Sequence, residues 1–135
     1  SKTDSRVIIL VTDGENNTHS FKLDLTELNK TAKGDESFRE KMIRSFYQNT
    51  QKSFDRLRNG LDTKDHKEIG EVAHKMASSF KYFSLDSIVE QLRKVENIAL
   101  YNPDPEQLYP LTRELIMHIS QLLDQLRKEY DLNSN

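Results

Sequence analysis

The chain has 135 residues, of which 35% are hydrophobic and 31% charged, with a net charge of −2 and no cysteine. That length accommodates one domain with a modest core. The charge balance lacks the basic footprint of nucleic-acid binding. The missing cysteines exclude disulfides, thiolate metal sites and cysteine nucleophiles, and neither a membrane-spanning apolar run nor a signal peptide is visible. The first residue is Ser1 rather than Met, which points to a processed or excised piece of something longer.

Residues 7–12, Val-Ile-Ile-Leu-Val-Thr, are the one strongly strand-like run. Asp13-Gly14-Glu-Asn-Asn17 reads as a turn and Thr18–Leu23 alternates weakly, so residues 1–23 are expected to be an N-terminal extension, a candidate β-hairpin or linker. No chemistry is assigned to it, and His19 there reads as an incidental surface residue. Asp35 caps a long helix in which Phe38, Met42, Phe46, Thr50, Phe54 and Leu57 keep an i+4 rhythm up to Asn59-Gly60. Asp65 with Glu68 makes a capping-box-like start for the next helix, which Phe83 ends. Ser84 opens the following one, with a stripe of Leu85, Ile88, Val89, Leu92, Val95 and Ala99. After the break at Asn102-Pro-Asp-Pro105, Asp104 as cap, Pro105 and Gln107 start a last helix carrying Leu108, Leu111, Leu115, Ile119, Leu122, Leu126 and Tyr130. Amphipathic helices with short connections bury their stripes most simply as an antiparallel four-helix bundle. The predicted fold is all-α: that bundle over residues 24–135, with a short N-terminal helix and the candidate hairpin.

One residue stands out. In the third long segment Ile69, Val72, Ala73, Met76, Phe80 and Phe83 define a core stripe, and His74 falls roughly 140° from its centre, facing water. One turn to either side stand Gly70, Ala77 and Ser78, all small, which reads as a cleared approach to the imidazole. Mid-helix glycine costs about 1 kcal/mol relative to alanine, so Gly70 calls for a reason. Lys67 and Lys81, seven residues to either side, share the face, and Lys75 adjoins it. A neutral imidazole nitrogen is a good nucleophile, and flanking ammonium groups suit it to receive an anionic group.

The other histidines carry less. His118 reads as a core-edge or surface residue, and His66 and His74 lack the partners a zinc site needs at i+3 or i+4, so no metal is assigned. The carboxylates do not converge as hydrolysis requires. No Gly-rich phosphate loop is present, so the chain is not expected to be a kinase by itself.

Ala73-His74-Lys-Met-Ala-Ser-Ser79, followed by Ser84-Leu85 and a second amphipathic helix ending near Val95-Glu96, resembles the signature of histidine-containing phosphotransfer (HPt) domains. The run Asp24–Phe38 is similar to the entry of that family, which implies a short helix, a Gly34-Asp35 turn and a long first bundle helix, and the resemblance covers roughly Asp24 to Leu132. It implies a bundle whose histidine, here His74, takes a phosphoryl group from a receiver-domain aspartate and passes it to another receiver. The expected partners are therefore response-regulator receiver domains and the other domains of a parent hybrid sensor kinase. The chain itself is expected to be monomeric, to hold no cofactor and to contact neither nucleic acid nor membrane. Mg2+ and the carboxylates that hold it would belong to the receiver. A cytoplasmic location follows from the resemblance, with a membrane-anchored parent allowed.

The family usually has lysine three residues after the histidine and glycine four and ten after, where this chain has Ala77, Ser78 and Ser84. Lys81, backed by Lys75 and Lys67, is the expected substitute for the missing charge, and Ile43, Tyr47 and Tyr82 are candidates for the docking face. The alternative is an interaction bundle that docks receivers without transferring phosphate.

Overall fold

A computed structural model describes the backbone of residues 6–12 and 18–132 and the side chains of residues 24–132. Strands β1 (Arg6–Thr12) and β2 (Thr18–Asp24) pair antiparallel in the register Arg6↔Asp24 to Thr12↔Thr18. The hairpin expected from the β-branched run is therefore present. Its turn, 13–17, and the side chain of His19 lie outside the described residues. The helices are α1 (Thr26–Ala32), α2 (Glu36–Asp62), α3 (His66–Tyr82), α4 (Asp86–Tyr101) and α5 (Pro105–Glu129). Among the described residues no helix is long and apolar enough to cross a membrane.

The expected caps form at the starts of the long helices. Asp35 Oδ1 accepts from the Phe38 amide at 3.0 Å and Asp65 Oδ1 from the Glu68 amide at 3.1 Å. Asp104 Oδ1 accepts from the Glu106 amide at 3.2 Å, ahead of Pro105 and Gln107. The Glu68 side chain does not complete a capping box. It takes a bidentate pair from Arg56, with Nε and Nη2 each 2.9 Å from a carboxylate oxygen, and ties the start of α3 to α2. The Arg56 hydrogen bonds hold the Glu68 carboxyl below the usual range, and the Arg56 guanidinium is raised in return.

Helices α2, α3, α4 and α5 close into a bundle, each packed on two others, around Leu57, Ile69, Val72, Phe80, Ile88, Leu92, Leu115 and Leu122. The buried row of α2 runs through Ile43, Phe46, Tyr47, Thr50, Ser53 and Leu57, while Phe38, Met42 and Phe54 are only half-buried. A strict i+4 row winds about 40° per step at 3.6 residues per turn, so the predicted stripe walks off the core and the true row mixes steps of three and four. His118 is buried with Nδ1 3.0 Å from Gln91 Oε1, deeper than the core edge expected for it.

Helix α1 packs on α2 at one end of the bundle, through Leu28 and Ala32. The Asp24 amide donates to the Phe83 carbonyl at 2.9 Å, which fastens the end of β2 to the α3–α4 turn. That turn is a Schellman closure: the Leu85 amide bonds the Phe80 carbonyl, the Ser84 amide bonds the Lys81 carbonyl, and Ser84 is left-handed at φ 57°. Ser84 therefore ends α3 and does not begin α4. The small residue expected there answers a backbone requirement, not access to His74.

Candidate functional site

Helices α3 and α4 run antiparallel and very close. A Cβ on Gly70 would stand 2.5 Å from Leu100 Cγ and 3.1 Å from Ala99 Cβ. Gly70, Ala73 and Ala77 are all buried, Ala77 with 0% of its surface exposed. These small residues form the seam of α3, and the separation of packed helices follows the size of the side chains at their contact. Gly70 and Ala77 therefore do not clear an approach for a partner as expected: Gly70 lets α4 come in, and Ala77, seven residues on and so on the same face, is buried. Ser78 alone of the three is exposed. The buried arc of α3 extends to the neighbours of His74, so the histidine stands at the lip of the α3–α4 seam, not on the open side of the helix.

That position gives His74 a partner. Its Nδ1 lies 2.7 Å from Oε2 of Glu96 on α4, with the imidazole 63% exposed and the carboxylate 12% exposed. A carboxylate, when ionised, only accepts hydrogen bonds, so Nδ1 is the ring's donor in this contact, and in the neutral ring the lone pair then lies on Nε2. The second Glu96 oxygen, Oε1, stands 3.7 Å from Nη1 of Arg93, one turn earlier on α4. Glu96 was not among the residues expected to matter. Its signal was present but indirect: a carboxylate beside the apolar stripe of α4, opposite a run of small residues on α3.

The lysines separate. Lys75 lines a cleft of about 310 Å3 between α2 and α3, with Lys52, Ser53, Arg56 and Ser79, and so points away from the α4 side of the imidazole. Lys67 and Lys81 are exposed two turns to either side of His74, roughly 10 Å along the axis. Helical side chains lean toward the N-terminus, so Lys81 leans toward His74 and Lys67 away from it. Ile43 and Tyr47 are buried in the core and Tyr82 is half-buried, which removes Ile43 and Tyr47 from any docking face. His66 is exposed at the first turn of α3.

A family model, that of the Hpt domain, matches residues 41–129, which takes in α3, α4 and α5 and most of α2. Neither a curated protein nor a solved structure matches the chain.

Proposed function

Since the chain belongs to the Hpt domain family, whose members work in phosphotransfer of two-component signalling and interact with receiver domains, we propose that it is a phosphorelay intermediate whose acceptor is His74. The observation that carries this reading is the 2.7 Å contact of Nδ1 with Glu96, which leaves Nε2 as the exposed nucleophile.

The Nε2 lone pair attacks phosphorus of a receiver's aspartyl phosphate. The P–O bond to the aspartate breaks, and the carboxylate leaves with the electron pair. No proton has to depart, because the Nδ1 proton stays on the ring, and the positive charge that develops there faces the Glu96 carboxylate. Onward transfer reverses the step: an aspartate of a second receiver attacks phosphorus and Nε2 recovers its pair. Catalysis of phosphoryl transfer is mostly positioning and charge stabilisation. In this reading Glu96 positions the ring and balances it, Ser78 keeps the outer side of His74 open, and Mg2+ with its carboxylates comes from the receiver.

The test is incubation with receiver domains carrying radioactive phosphate on aspartate. Acid-labile label is expected to move to His74 and then to an unlabelled receiver. A chain that binds such receivers, remains unlabelled by each of them and leaves their phosphate in place would instead be a docking bundle without transfer.

A further inference from the structure

We propose that Arg93 of α4 is the cation that meets the phosphoryl group on His74, an inference that rests on His74 being the acceptor. A phosphoryl group brings close to two negative charges and three strong acceptor oxygens at neutral pH. A guanidinium matches that geometry with two parallel donors, which an ammonium does not offer.

On α3 itself little is at hand. Ala77 is buried and uncharged, Lys75 is turned into the α2–α3 cleft, and Lys67 and Lys81 are two turns off. Arg93 is linked to the reacting ring through a single carboxylate. Its Nη1 sits 3.7 Å from Oε1 of the same carboxylate whose Oε2 holds His74 Nδ1. The register agrees: Gly70 meets Ala99 and Leu100, and His74 meets Glu96, so one turn further along this antiparallel pair Arg93 comes level with Ala77 and Ser78. At 3.7 Å the Arg93–Glu96 contact is longer than a hydrogen bond, and the Arg93 side chain is 48% exposed. The guanidinium is tethered beside the imidazole, yet free to turn from Glu96 Oε1 to phosphoryl oxygens when they arrive. The α4 helix then supplies both the partner that orients the ring and the charge that receives its cargo.

Potassium phosphoramidate tests this without a receiver. His74 Nε2 attacks its phosphorus, the P–N bond of the reagent breaks and ammonia leaves. The whole chain is used in the parent, Arg93→Gln, Arg93→Lys and Lys81→Ala forms, at low and high salt. Arg93→Gln is expected to slow labelling about two- to five-fold at low salt, the effect of losing one exposed charge contact. Arg93→Lys should restore part of the rate, and the difference should shrink as salt screens it. In the parent, the Arg93 Nε–H NMR signal should shift on phosphorylation, which a purely structural role would not produce. Arg93→Gln labelling at the parent rate, an unmoved Arg93 signal, or a larger loss in Lys81→Ala would each overturn the proposal. Parent chain that phosphoramidate labels but no receiver does would count against the relay reading and not against Arg93.

Discussion

Gly70 and Leu100 are in contact across the α3–α4 seam, with no room left for a methyl group between them. Overpacking a filled site costs typically 1–3 kcal/mol, against about 1 kcal/mol regained in helix propensity. Gly70→Ala is therefore expected to destabilise the bundle by about 1 kcal/mol in urea unfolding, and Gly70→Leu by more. Pairing Gly70→Ala with Leu100→Ala should recover part of the loss, because the two sites share one space. Gly70→Ala as stable as the parent would show that Leu100 swings aside freely.

His74→Gln should remain folded, within about 1 kcal/mol of the parent, since the site is surface-facing and the amide still donates to Glu96. Acid-labile labelling should vanish. Label that persists, or that maps to His66 or His118, would remove His74 as acceptor.

Glu96→Ala deletes the acceptor for Nδ1. A hydrogen bond to a charged group contributes about 1.5–3 kcal/mol, so single-turnover transfer from a labelled receiver should slow roughly 10- to 100-fold. Glu96→Gln keeps an acceptor oxygen but loses the countercharge, and should fall between. Transfer by Glu96→Ala at the parent rate would show that the ring needs no holding.

Ser84→Gly should stabilise the domain by about 1 kcal/mol, because a side chain at φ 57° carries a cost that glycine avoids. Thermal unfolding reads this directly, and transfer should be unchanged, since Ser84 belongs to the end of α3 and not to the imidazole's surroundings.

Burial pushes the Tyr130 phenol up to about 12 from its ordinary 10, and among the described residues its hydroxyl has no hydrogen-bond partner. The folded state holds this proton more tightly than the unfolded chain. The corresponding stability is present below pH 10 and declines as pH rises from about 10 to about 12. Tyr130→Phe should match or exceed the parent at neutral pH and lose less stability over that alkaline interval. Parallel curves for the two proteins would mean the phenol ionises as easily in the fold as outside it.

Much of this was legible in the chain. Asp35, Asp65 and Asp104 announce their helices because a cap acts within three residues, and His74 stands out because its own helix supplies the contrast. Less legible was the meaning of Gly70 and Ala77. Small residues look alike whether they clear a path for a partner or admit a neighbouring helix, and only the position of α4 decides. Glu96, twenty-two residues from His74, reaches it through that packing alone. For the same reason the predicted row of α2 leans toward Phe38 and Phe54: periodicity measures an angle, while burial depends on where α3 and α5 lie.

The hydrogen bond between His74 and Glu96 also bears on what the solvent contributes to the rate. A ring that keeps its Nδ1 proton throughout neither gives one up nor gains one in either direction of transfer. Exchange of H2O for D2O should then leave the transfer rate from receiver to His74 nearly unchanged in the parent chain.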